Sequence, residues 1–190
     1  MVVVAHPDDD AYGCAGTVAL HADDPTFRFV LVHATDGEAG RIAPGSNATR
    51  ETLGAVRREE DRRAWQVLGR QPDRHEWLGY PDGGLAELPL EELVNRFNAR
   101  RVARGMQPWD PTRIYHLRGI PDERIDVDID TCGVAHRVRA AMLEHRTQRE
   151  DVNSTLFTDS QKVNAVSREP GVTAWPGRPG RILRDLFEDL

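Results

Sequence analysis

His6, Asp8, Asp9 and Asp10 close a short apolar run in the stretch VVVAHPDDDAYG. Three successive carboxylates repel one another unless something positive lies near. Pro7 pushes the His6 backbone toward the extended region, so His6 reads as the last residue of a strand. The chain then turns, and position i+3 comes back near position i. His6 and Asp9 can therefore aim a nitrogen and an oxygen at one point, and imidazole with carboxylate is a suitable donor pair for zinc. Asp8 lies between them, points elsewhere and is free to handle protons. Asp10 is placed to cap a helix that begins at Ala11. A second reading stands beside this one. All three aspartates could serve the helix N-terminus, where the dipole favours anions, although one would suffice. Phosphate binding fits poorly, because acids repel it and no G-x-G-x-x-G follows the strand.

The elements that must carry these residues alternate. VVVAH reads as a buried strand, followed by a helix over AYGCAGTVALHA. FRFVLVHATDG is a second strand ending in an Asp-Gly turn. ATRETLGAVRREEDRRAWQVLGR spaces Leu53, Val56, Ala64, Val67 and Leu68 as an amphipathic helix with a gap in its stripe. HEWLGYPDGG is a third strand-to-loop transition. PLEELVNRF begins a helix with Pro89 in its first turn, TRIYHLRG is a further strand, and IDTCGVAHRVRAAMLEHRTQ is a late helix. ILRDLFEDL forms a short terminal helix, while GRIAPGSNA and EDVNSTLFTDS are surface loops. Strands alternating with helices indicate an α/β domain with a mostly parallel sheet. Ligands in such sheets sit beyond the carboxyl ends of the strands. Three carboxylate-bearing loops, HPDDD, HATDGEAG and GYPDGG, are thus expected on one rim.

The bulk numbers agree. At 190 residues the chain suits one domain spanning 1–190. A net charge of −6 argues against nucleic acid, which asks for a basic stripe. Lys162 is the lone lysine among 25 basic residues, so no single arginine stands out as chosen for bidentate binding. Cys14 and Cys132 form no C-x-x-C pair and read as reduced cytosolic thiols. No run approaches the roughly 20 apolar residues of a membrane span, and the opening is too short and uncharged for a signal peptide. A cytoplasmic protein is expected, and a homo-oligomer is left open.

The ordered motifs AHPDDD, TDGEAG, RREEDRRAWQVLG, WLGYPDGGL, RIYHLRGIP, HRTQ and LFEDL resemble the LmbE-like, or PIG-L, zinc-dependent N-deacetylases along nearly the whole chain. The resemblance implies a Rossmann-like three-layer sandwich with a Zn2+ site at the carboxyl ends of its strands. It also implies hydrolysis of an acetamide on an N-acetylglucosamine-type small molecule or glycoconjugate. It makes His6 and Asp9 zinc ligands, Asp8 the general base, Arg57 and Asp82 substrate-binding residues, and Glu38 a residue of the bordering loop. Taken alone, Asp82 would be a turn residue, Glu38 a partner of backbone amides, and Arg57 a surface ion pair with Asp61 worth about 0.3–0.5 kcal/mol. Two rival classes are a metal-binding module without catalysis and an α/β phosphohydrolase using Mg2+. The latter ion prefers all-oxygen ligation, so His6 beside Asp9 favours zinc.

One departure stands out. The family draws its third zinc ligand, and an oxyanion-stabilising histidine, from a G-H-P-D-H-like motif that has no counterpart in this sequence. A strand-loop-helix unit is missing near residues 96–97, and a physical break is expected between Val94 and Ala99. Of the other histidines, His33 reads as a satisfied core residue and His21 and His75 as surface or strand-edge residues. His116 ends a strand near the rim. His145 and Gln148 share a helix face, as readily solvated as functional.

Overall fold

The computed structural model describes residues 1–83, 98–99, 102, 124–148, 158–173 and 180–188. Val2–Val4 (β1), Val30–His33 (β2) and Arg74–Trp77 (β3) form a parallel sheet in the order β1-β2-β3. β-branched, apolar residues suit these strands because both faces of a parallel sheet need cover. Asp9–Gly13 (α1) and Ala15–Leu20 (α2) follow β1, Leu53–Leu68 (α3) follows β2, and Gly69 closes α3 in the left-handed conformation, φ 91°. The expected helix after β1 is two pieces broken at Cys14.

Val127–Asp130 (β4) and Arg168–Gly171 (β5) make a separate antiparallel pair. Ala135–Met142 (α4) and Asp159–Ala165 (α5) lie between them. The late helix thus starts later than its sequence suggests, after a strand and a 3₁₀ turn over Cys132–Val134. The stretch read as a surface loop runs into α5, which opens on a reciprocal Thr158–Gln161 capping box. The short terminal helix does not form over the described residues 180–188. Leu183 instead bridges Val127, its N–H donating to Asp126 O at 2.8 Å.

One core joins the two parts. Ala15 and Val18 of α2, Phe29 and Leu31 at β2, Ala64, Trp65 and Leu68 of α3, and Val138, Ala141 and Met142 of α4 pack together. Each fully buried large apolar side chain is worth about 1.5–3 kcal/mol. A buried clamp fixes the 146–148 turn to α3: Thr147 donates its N–H and its hydroxyl to Glu60, at 2.8 and 2.6 Å. Among the described residues this helical layer covers one face of the sheet, so the fold is α/β with a parallel sheet. The PLEELVNRF helix, the TRIYH strand with His116, and the expected break between Val94 and Ala99 fall outside the described residues, apart from Asn98 and Ala99, which are helical.

Candidate active site and a buried polar cluster

β1 ends at Val4, two residues short of His6, the strand end expected from the sequence, and the chain then delivers the aspartates into a tight turn. The His6 backbone N–H donates to Asp9 Oδ2 at 2.9 Å, and His6 Nδ1 lies 3.2 Å from the same oxygen. The i+3 return therefore brings the imidazole and the carboxylate together. Asp9's own burial pushes its carboxyl up, but the His6 side-chain and backbone hydrogen bonds outweigh this and hold it below its usual range. His6 is raised, chiefly by its hydrogen bond to Asp9.

Asp8 sits at φ 122°, a left-handed value that costs a non-glycine residue about 1–3 kcal/mol. Its carboxylate meets Arg57, whose Nη2 lies 3.1 Å from Asp8 Oδ1. Burial raises Asp8 to about 6 against the opposing pull of Arg57. Arg57 is 3% exposed and also donates to Pro7 O at 2.6 Å and to Gly37 O at 2.9 Å. The surface ion pair with Asp61 suggested by the i,i+4 spacing does not form. Both residues are buried, and Arg57 turns to the strand-one loop instead. Gly37 has φ +67°, and a Cβ there would run into the Arg57 guanidinium.

The second and third loops meet the first. Asp82 Oδ1 lies 2.9 Å from His6 Nε2, and its Oδ2 accepts from Ala39 N at 3.0 Å. Glu38 Oε1 accepts from Asp82 N at 2.8 Å. His6, Asp8, Asp9, Glu38, Arg57 and Asp82 thus form one connected set at the ends of β1, β2 and β3. His6 Nδ1 and Asp9 Oδ2 lie close to the spacing of about 3.3 Å that two ligands of a tetrahedral ion adopt. The opposite nitrogen of His6 faces a carboxylate, the arrangement that orients a metal-bound histidine. By donor chemistry an imidazole nitrogen and a carboxylate oxygen at this spacing suit a divalent ion such as zinc. Among the described residues no third side chain completes that pair.

Asp10 corrects the sequence reading. It is not a helix cap: α1 begins at Asp9, and Asp10 is fully buried, accepting from Trp65 Nε1 at 2.7 Å and from Asp8 N at 3.2 Å. It belongs to a second polar group behind the first. His33 and Asp61 are both 0% exposed, and His33 Nδ1 lies 2.8 Å from His75 Nε2. His145 is 1% exposed, so it is core rather than solvated surface. His75 is half-buried, with Trp77 stacked near both it and His33. His33 is a core histidine, as expected, but only half satisfied, since its Nε2 has no hydrogen-bond partner. Gln148 donates to Arg41 O at 2.7 Å and ties down the 41–45 loop.

Comparisons with known proteins bear on the family and the fold. The sequence model of GlcNAc-PI de-N-acetylase (PIG-L) matches residues 1–119. A probable N-acetyl-alpha-D-glucosaminyl L-malate deacetylase 2 of Bacillus cereus is 30% identical over 174 residues, covering 90% of this chain and 73% of that protein. A 1D-myo-inositol 2-acetamido-2-deoxy-alpha-D-glucopyranoside deacetylase 2 of Saccharopolyspora erythraea is 37% identical over 105 residues, covering 51% of this chain and 37% of that protein. The crystal structure of a conserved protein from Thermus thermophilus shares the fold, with a TM-score of 0.56 at 23% identity over 90% of this chain and 92% of that one. No described helix is long and apolar enough to cross a membrane. The chain belongs to the GlcNAc-PI de-N-acetylase (PIG-L) family.

Proposed function

We propose that this chain is a zinc-dependent N-deacetylase that removes acetate from an N-acetylglucosamine-type small molecule or glycoconjugate and leaves a free amine. The observation that carries the reading is the joined set of His6, Asp8, Asp9 and Asp82 at the strand ends, in a chain of this family. Both relatives described above are deacetylases of N-acetylglucosaminyl compounds by name.

Zinc held by His6 and Asp9 would supply Lewis acidity, polarising the acetamide carbonyl and lowering the pKa of the attacking water to about 7. Asp8 takes the proton of that water at its carboxylate and returns it to the departing nitrogen. Its pKa of about 6 suits both halves of the task, ionised in the resting enzyme and readily protonated in turnover. Arg57 commits its guanidinium to Pro7 O, Gly37 O and Asp8, so it positions the base. Asp82 accepts from His6 Nε2 and holds the ring, while Glu38 holds the Asp82 backbone. In this reading Asp82 meets sugar hydroxyls only with the capacity its carboxylate keeps beyond those bonds. Substrate contacts of Arg57 and Glu38 would likewise be secondary to these tasks.

The test is amine release from N-acetylglucosaminyl malate and N-acetylglucosaminyl inositol by zinc-loaded protein. Release that stops on chelation and returns with zinc is expected. Hydrolysis of phosphate esters with no amine release would overturn the reading in favour of a Mg2+-dependent phosphohydrolase. Stoichiometric zinc with neither activity would leave a metal-binding module.

A further inference from the structure

We propose that His33, Asp61 and His75 form a second divalent-cation site, enclosed between the parallel sheet and α3 and separate from the His6–Asp9 pair. Two imidazole nitrogens and a carboxylate oxygen make a donor set of the class that zinc takes.

The fold brings these residues together from three elements. In the β2–β3 register Leu31 pairs with His75 and His33 with Trp77. Side chains two apart share a sheet face, so His33 and His75 are diagonal neighbours on the face that α3 covers. α3 lays Asp61 over them. One donor atom from each residue lies within 4.8 Å of the other two. His33 Nδ1 is 2.8 Å from His75 Nε2, His75 Nε2 is 3.8 Å from Asp61 Oδ2, and His33 Nε2 is 3.9 Å from Asp61 Oδ1. Ligands at about 2.0–2.2 Å from a tetrahedral ion stand about 3.3–3.6 Å apart. These separations run through both His33 nitrogens and both Asp61 oxygens, and His33 Nε2 also lies 3.6 Å from Asp10 Oδ1. One ion would be held only once the His33 ring and the Asp61 carboxylate turn a single atom each toward His75 Nε2.

The polar accounting points the same way. Both Asp61 oxygens and His33 Nε2 are buried without a hydrogen-bond partner. A buried carboxylate is costly unless paired or bound to a metal. In contrast to Asp8, which has Arg57, Asp61 has only the two histidines within ion-pair range among the described residues. Burial, with Asp10 adding to it, raises Asp61 to about 9, and burial holds His75 near 4. Asp61 would thus give up one proton to a cation, and a neutral imidazole is the form that ligates. Trp77 stacks on His33 at 4.4 Å and on His75 at 4.6 Å between ring centroids, and the Arg58 guanidinium covers the Trp77 ring at 4.6 Å. The 24% exposure of the His75 side chain gives an ion its way in. The rival account is a proton shared between Asp61 and Asp10, with no cation.

The experiment strips the full chain with a chelator, dialyses it against Zn2+, and measures bound metal by mass spectrometry. His6→Ala is expected to keep a tightly bound zinc, and His6→Ala combined with His75→Gln to lose it. Zinc should raise the Tm of His6→Ala and leave that of the double variant unmoved. X-ray absorption on zinc-loaded His6→Ala counts imidazole ligands without relying on how the double variant folds, and two are expected. A His6→Ala protein that binds no zinc, a double variant that binds as much as His6→Ala, or a spectrum without imidazole would each overturn the proposal. Wild-type zinc that vanishes wholly with His6→Ala would sink this site alone and leave the deacetylase reading standing. Zinc lost with His75→Gln but untouched by His6→Ala would do the reverse.

Discussion

Two clusters built from the same residue types occupy opposite environments. At the strand ends, His6 and Asp9 expose 36% and 44% of their side chains, and every carboxylate has a named partner, although Glu38 Oε2 and Arg57 Nε are buried without one. Beneath α3, His33 and Asp61 expose nothing and keep polar atoms unpaired. Solvent and Arg57 permit Asp8 and Asp9 side by side at the rim, while Asp10 turns into the buried group. Under the helix, one extra carboxylate without a cation stays protonated. The first cluster is built on arranged partners, and the second keeps several polar atoms without any.

Removing the base should separate chemistry from metal at the rim most sharply. Asp8→Asn is expected to keep zinc and lose about 10²–10⁴-fold in kcat, and single-turnover amine release with metal analysis reads both. A near-normal rate would take the base role from Asp8. Arg57→Ala would turn Asp8 into a buried carboxylate without a cation, like Asp61. A loss of about 3–5 kcal/mol in urea unfolding is expected, together with an upward shift of the acid limb of the pH–rate profile. An unchanged Cm would mean that Arg57 does not anchor the turn. Asp82→Asn removes the carboxylate behind His6, and zinc affinity should fall about 10–100-fold in a competition titration. Equal affinity would return Asp82 to a sugar-binding or turn role.

The buried cluster offers the smallest effect and the clearest sign. In metal-free protein the folded Asp61 holds a proton that the unfolded chain releases above its ordinary carboxylate pKa. Stability therefore falls as pH rises toward about 9, by about 1.4 kcal/mol per unit at most. His75 and His145 are both held near 4 by burial. Below about 6.5 the unfolded chain binds protons that these folded rings refuse, so stability falls toward acid as well. The metal-free chain should be most stable near neutral pH. Asp61→Asn should flatten the alkaline limb and steepen the acid one, because between about 4 and 6.5 the extra proton on folded Asp61 offsets one of the two that the histidines refuse. Tm measured from pH 5 to 9 decides this, and an alkaline slope unaltered by the substitution would exclude Asp61 as its source.

Much of the rim was legible in sequence, because strand-ending loops follow from β-branched runs and Pro7 fixes the turn. The buried cluster was not, for a specific reason. The helix through RREEDRRAWQVLG reads as amphipathic with a gap in its stripe, because charges occupy the middle of it. Yet Leu53, Arg57, Glu60, Asp61, Ala64, Trp65 and Leu68 are all buried, at the spacing of one helix face. The gap in the apolar stripe was the signal: polar residues fill core positions there. His75 and His145 carried no such mark, since their burial depends on elements distant in sequence. β4 was missed because Asp126, Asp128 and Asp130 mask the alternation of Val127 and Ile129. The Asp128 carboxylate is answered by Arg168 and Arg184 from far along the chain.

Glu169 sits fifty residues beyond the end of the family match at 119, yet it receives the first backbone amides of α2. Gly16 N donates to it at 2.6 Å and Thr17 N at 2.9 Å, while Val138, Ala141 and Met142 fill the same core from α4. The front of the chain that carries the family match is therefore not a detachable part. Recombination or gene truncation that severed it from its tail would strand the amides of α2 and open the core at once. The two halves are expected to fold and unfold as one piece.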